Sequence, residues 1–125
     1  MMVLTTRLKG RQAEQAAADY LRSRGWRVVV ENYVTPVGEI DLIAQDGATL
    51  VMVEVKARSG SMFGEALEAV GPRKERRLRA AAAWWMAEKG QVTRQIRFDV
   101  ITISLGDEGS LLSLSHLPDV LGSGR

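Results

Sequence analysis

At 125 residues, with 46% hydrophobic and 26% charged side chains, the chain is about one domain long and of ordinary globular composition. It has no cysteine and one histidine, His116, which excludes disulfide staples, thiolate metal sites, cysteine nucleophiles and a histidine-built zinc cluster. Seventeen basic residues exceed fifteen acidic ones by only two, yet 13 of the basic set are arginine. They cluster at Arg22, Arg24 and Arg27, and again at Arg73, Lys74, Arg76, Arg77 and Arg79. Arginine presents a rigid fork of donors that suits phosphate, so the clustering points to a surface for polyanions; a solvated helix face is the other reading.

In chain order, the first expected element is a helix from about Arg7 to Arg24, with Ala13, Ala17, Tyr20 and Leu21 on one buried stripe and Gly25 as its stop. Trp26 to Val34 reads as a strand, bounded by a Thr35-Pro36-Val37-Gly38 turn. Glu39 to Gln45 and Thr49 to Arg58 read as two further strands joined by a hairpin at Asp46-Gly47. Residues 59–71 read as a loop that follows the third strand and lies within reach of a substrate. Pro72 opens a second helix that runs to Lys89, with Gly90 as its stop. Ile96 to Ser104, apolar on both faces, is a strand inside the sheet, and a shorter strand covers Leu111 to Ser115. No linker divides the chain, so residues 1–121 form one domain and 122–125 a frayed tail. No apolar run approaches the ~20 residues that span a bilayer. The first ten residues turn polar too early for a secretory signal, so a cytoplasmic location is expected.

The chemistry concentrates on the third strand. Its odd positions, Val51, Val53, Val55 and Ala57, are apolar, whereas its even positions run Leu50, Met52, Glu54, Lys56 and Arg58. One face therefore begins as core and ends as a carboxylate, an ammonium and a guanidinium. With Asp46 and Gly47 at the centre of the hairpin, Gln45 opposes Ala48. Glu39 then faces Glu54, and Asp41 faces Met52 while lying diagonal to Glu54. Carboxylates so crowded need a cation or a proton between them. A hard divalent ion such as Mg²⁺ or Mn²⁺ resolves the conflict through oxygen ligands, and it brings the power to activate a water against a phosphodiester. Lys56 would orient that water or offset charge in the transition state. Glu14 falls within the apolar arc of the first helix, where a lone carboxylate needs a partner, either this cluster or an arginine.

Gly38-Glu39-Ile40-Asp41 followed after a hairpin by Val53-Glu54-Val55-Lys56 resembles the split motif of the PD-(D/E)xK nucleases. The wider pattern is similar to the YraN-like family over nearly the whole chain: Gly10, Glu14, Asn32, Gly38 to Ile43, Val53 to Lys56, Phe63-Gly64, Lys74 and Arg97 to Val100. The resemblance implies a restriction endonuclease-like α/β fold, a central mixed sheet in α-β-β-β-α-β order flanked by helices, akin to Holliday-junction resolvases. It implies that Asp41, Glu54, the carbonyl of Val55 and Glu14 hold the metal, with Lys56 as the catalytic lysine. Ile40 stands where the strict motif has proline, a residue that shapes the strand and is not a ligand.

The expected activity is therefore metal-dependent hydrolysis of DNA, branched or damaged DNA included, with Arg58, Arg73, Lys74 and Arg77 on phosphates and Glu39 in support. A non-catalytic nucleic-acid-binding module on the same scaffold is the alternative, and an interaction protein that dimerises through the Trp84-Trp85 helix is a third reading. A homodimer is implied by resemblance alone. Asp99, flanked by apolar neighbours, is assigned to a structural ion pair with a lysine or arginine of the basic clusters. Met52 and Met62 are assigned to packing, and His116 to no functional role.

Overall fold

The first helix, α1 (Thr6–Ser23), is held to the sheet by Ala13, Ala17 and Leu21, spaced by four, with Ala18 beside them, all buried. It ends where Gly25 turns to φ +85, so that the Gly25 N–H reaches the Arg22 carbonyl and the Trp26 N–H reaches the Leu21 carbonyl. This paired closure needs a left-handed residue, which glycine adopts without a Cβ clash. The chain then runs through β1 (Arg27–Thr35), β2 (Gly38–Asp46) and β3 (Thr49–Arg58) as an antiparallel meander. A second helix, α2 (Pro72–Glu88), leads to β4 (Gln95–Leu105) and β5 (Leu111–Leu117). This computed structural model describes residues 6–58, 71–91 and 94–121. The expected loop over 59–70 with Met62 and Phe63-Gly64, the tail over 122–125, and the side chain of Arg58 lie outside the described residues.

The five strands form one mixed sheet in the order β1-β2-β3-β4-β5. All neighbours are antiparallel except β3 and β4, which are parallel because α2 intervenes as a crossover. Alternation along β3 sorts the core into two layers. Val51 and Val53 pack with α1, Leu42, Ala44, Ile101 and Ile103 on one face. Leu50 and Met52 pack with Leu78, Ala81, Ala82 and Trp85 of α2 on the other. Expectation and structure agree that β4 is internal and that Met52 is a packing residue. Trp85 is buried while its neighbour Trp84 is 43% exposed, as adjacent helix positions require.

Asp99 and His116 meet in the α1 layer. The Arg97 guanidinium donates to both Asp99 oxygens at 2.9 Å, His116 Nε2 lies 2.7 Å from Oδ2, and the Asp119 N–H donates to Oδ1 at 2.9 Å. The Tyr20 hydroxyl lies 2.8 Å from His116 Nδ1, and Arg24 reaches the same nitrogen. The ion pair anticipated for Asp99 is present, but its cation is Arg97 and not a member of either basic cluster. A periodicity argument could not assign His116 this role, because its partners are 17 and 96 residues away. Arg24 and Arg79 are likewise used in packing. Arg79 bonds Glu75 and the Leu121 carbonyl and lies over the Phe98 ring.

Candidate functional site

The hairpin turn is displaced from the position read in the sequence. Asp46 pairs with Thr49, so Gly47 and Ala48 are the central residues and Ile43, not Asp41, lies opposite Met52. The register moves by two places, which keeps the side chains of the paired segment, Leu42 to Asp46, on their expected faces. Extended by one residue beyond the last pair, it would bring Asp41 level with Glu54, the place expected of Glu39 from the sequence. Glu39 pairs instead with Val34 of β1 and is exposed.

The continuous ladder between β2 and β3 ends at Leu42↔Val53. Beyond it β2 remains paired only with β1, through Ile40↔Tyr33, Glu39↔Val34 and Gly38↔Thr35. Asp41 stands at the fork, and its Oδ2 accepts the Val55 N–H at 2.8 Å. A side-chain oxygen thus takes a donor that a continuing ladder would have given to a carbonyl. Because a strand residue sends its N–H and C=O out on the same edge, the Val55 carbonyl faces the same gap.

Both strands of the β1–β2 pair are distorted at this level. Pairs Glu31↔Leu42 and Tyr33↔Ile40 set Asn32 opposite Asp41, and Asn32 has φ +55, the left-handed region asparagine tolerates better than most residues. Regular alternation would put residues two apart on one face. Instead Leu42 packs in the α1 layer and Ile40 in the α2 layer. Likewise Glu31 pairs with Arg22 of α1 while Tyr33 donates to Glu88 of α2. The run Ile40-Asp41-Leu42-Ile43 carries the legible signal: three apolar residues around one acid do not alternate.

Glu54 is buried at 5% exposure and is met by two amines. Lys74 Nζ of α2 lies 2.7 Å from Glu54 Oε2, and Lys56 Nζ lies 3.6 Å from the same oxygen. Lys74, expected on a phosphate, is therefore engaged with a carboxylate here. Its position depends on Gly38, where a Cβ would lie 2.7 Å from the Arg77 carbonyl oxygen. Only a glycine at the start of β2 lets the α2 backbone approach so closely.

The fork admits influence from both layers. The Asp41 carboxyl is pushed up from 3.8 to about 7, first by burial and then by Glu54, with Glu14 of α1 adding to the rise; the Val55 N–H and Lys74 of α2 oppose it. Glu14 is itself raised, chiefly by burial and then by Glu39, Glu31 and Glu54. Glu14, Asp41 and Glu54 thus act on one another electrostatically, Lys56 lies beside Glu54, and Lys74 joins them in place of the phosphate contact expected of it. Arg77 lines an adjoining cavity and Arg73 is exposed on the first turn of α2.

Among the described residues no three His, Cys, Asp or Glu side chains form a metal cage. The candidate ligands at the fork are nonetheless oxygens: two carboxylates, one of them held toward its protonated form by burial and then by the other, and a carbonyl on the same edge. That set suits a hard divalent ion, which commonly binds through one or two carboxylates and keeps its remaining waters.

Fold and site together define a one-sheet α/β domain with an acidic fork flanked by amines. The sequence profile described as "Uncharacterised protein family UPF0102" matches residues 13–103, and the chain belongs to that family. Similar relatives include UPF0102 proteins of Pelotomaculum thermopropionicum, 43% identical over 88% of this chain and 92% of the relative, and of Methylococcus capsulatus, 48% identical over 82% of each. A third, from Symbiobacterium thermophilum, is 44% identical over 85% of this chain and 90% of the relative. Among the described residues no helix is long and apolar enough to cross a membrane.

Proposed function

We propose that the chain is a divalent-cation-dependent endonuclease of the PD-(D/E)xK, restriction endonuclease-like type, acting on the phosphodiester backbone of DNA. The observation that carries this reading is the electrostatic conflict between Glu54 and Asp41, which stands where β2 leaves β3, with Lys56 two residues beyond Glu54 along β3. A structural ion pair would need one carboxylate for its cation. A buried and a half-buried carboxylate in mutual repulsion, one of them raised to about 7, are better explained by a cation that binds both.

In this reading Asp41, Glu54 and the Val55 carbonyl would hold Mg²⁺ or Mn²⁺, with Glu14 as a further carboxylate reaching from α1. The ion supplies Lewis acidity and a water of lowered pKa. The chain's own groups do the rest. Lys56, 27% exposed and anchored beside Glu54, holds the attacking water by donation to its oxygen and offsets negative charge developing on the phosphoryl group. Arg73 and Arg77, exposed on the first turns of α2, hold flanking phosphates. Burial of Glu54 and partial burial of Asp41 limit bulk water at these charges and strengthen each contact.

The test is cleavage of branched, single-stranded and duplex DNA with Mg²⁺ or Mn²⁺ by the full chain and by Glu54→Gln, Asp41→Asn and Lys56→Met. Each variant is expected to lose at least about 100-fold in rate. Cleavage by Glu54→Gln at the wild-type rate would falsify the assignment. Salt-dependent binding without cleavage, unaffected by Asp41→Asn, would favour a binding module instead.

A further inference from the structure

We infer that Lys74 is a shared cation, which neutralises Glu54 while no metal is bound and turns to a substrate phosphate when a divalent ion takes Glu54. The inference rests on the metal-site reading above and adds a coupling between the two ligands. Lys74 Nζ is 2.7 Å from Glu54 Oε2, nearer than Lys56 at 3.6 Å, so Lys74 holds the closest counter-charge position on that oxygen. A divalent ion on the same carboxylate would face an ammonium at contact distance, and like charges so close in a half-buried site repel strongly. Both lysines have the same flexible stem, but Lys56 shares a strand with Glu54 and is 27% exposed. Lys74 reaches Glu54 across the gap between two elements and its side chain is 36% exposed, so it is the better placed to leave.

The place for it to go lies beside it. A cavity of about 400 Å³ opens between the β1–β2 turn and α2, lined by Lys74, Arg77, Glu39, Gly38 and Thr35. Thr35 Oγ1 already donates to the Gly38 carbonyl and accepts the Val37 and Gly38 N–H groups, so it closes the turn and leaves recognition to the charged residues. Arg77 alone against Glu39 gives this cavity no net positive charge. Arg77 with a released Lys74 gives two cations against one carboxylate, which suits a phosphodiester. Divalent ion and phosphate therefore reinforce each other, and by linkage the gain is equal in both directions.

Mn²⁺ affinity of the full chain is measured by calorimetry. Affinity for a short phosphorothioate oligonucleotide, which resists hydrolysis, is measured by anisotropy with and without Mn²⁺ at constant ionic strength. Wild type is expected to bind the oligonucleotide about tenfold more tightly with Mn²⁺. Lys74→Gln is expected to bind Mn²⁺ about tenfold more tightly than wild type and to lose most of that enhancement, while Lys74→Arg restores both wild-type behaviours. Inorganic phosphate replaces the oligonucleotide in a second arm: enhancement by Mn²⁺ in that arm too assigns the cavity to phosphate itself, and enhancement with the oligonucleotide alone assigns it to the polymer backbone. Lys74→Gln binding Mn²⁺ no more tightly than wild type would overturn the inference. If Mn²⁺ still binds through Glu54 in that case, the nuclease reading stands. If neither wild type nor Lys74→Gln binds Mn²⁺, both readings fall.

Discussion

Asp99 and Asp41 are two largely buried carboxylates in neighbouring rows of one sheet, and their surroundings are opposite. Asp99 aligns with Val53 across the β3–β4 ladder, and Asp41 stands one row further on, at the β2–β3 fork. Burial alone would raise both. At Asp99 that penalty is overcome by hydrogen bonds from His116, Arg97 and the Asp119 N–H, which hold the carboxyl below its ordinary range. At Asp41 the Val55 N–H and the charge of Lys74 are outweighed by burial and by Glu54, and the group rises to about 7. A structural carboxylate arrives with its donors. Asp41, short of donors and beside a second carboxylate, has instead the environment of a candidate binding site.

The difference can be broken from either side. The largest effect is expected at Asp99→Ala, which leaves Arg97 and His116 without their acceptor; urea unfolding should show a loss of about 3 kcal/mol or more. Asp41→Asn should act in the other direction, stabilising the metal-free protein at pH 8 by roughly 2 kcal/mol while abolishing Mn²⁺ binding. A destabilised Asp41→Asn would mean that its charge is already compensated.

The same contrast sets the pH profile. Asp99 has its folded pKa below the ordinary 3.8, so its contribution is present above that value and is lost as pH falls through the folded value. Asp41 has its folded pKa above 3.8, so the stability its proton confers is complete below 3.8 and is lost as pH rises toward about 7. Chemical denaturation across pH 3–8 should show both limbs. Asp99→Asn should flatten the acid limb, and Asp41→Asn or saturating Mn²⁺ the other.

Gly38→Ala sharpens the comparison through geometry alone. The added methyl displaces α2 from β2, with an expected cost of about 1–3 kcal/mol and a weakened Lys74–Glu54 pair, while the Asp99 network is unaffected. The smallest effect is expected at Asn32, where Asn32→Gly should change stability by less than about 1 kcal/mol and Asn32→Val should cost more, because only the latter opposes the left-handed backbone.

Much of this organisation was legible in residue order. Apolar spacing placed α1 and α2, the alternation of Val51, Val53 and Val55 against Leu50, Met52 and Glu54 located the two faces, and Glu54 and Lys56 stood out because charge interrupts a core face. Glu14 was legible as a charge within an apolar arc. The hairpin register was misjudged by two because Asp46-Gly47 is the commoner turn pair, whereas the ladder here extends to Asp46↔Thr49. That error preserved face over the paired part of the hairpin but misplaced Glu39 and Asp41.

Local sequence determined which residues form helices and strands, and which strand changes from core to charge along its length, because those properties depend on neighbours within a few positions. The tertiary structure decided which charges meet. Lys74 reaches Glu54, Arg97 and His116 finish Asp99, and β2 leaves β3 at Asp41, because Coulomb forces and hydrogen bonds act across space between elements that chain order leaves far apart.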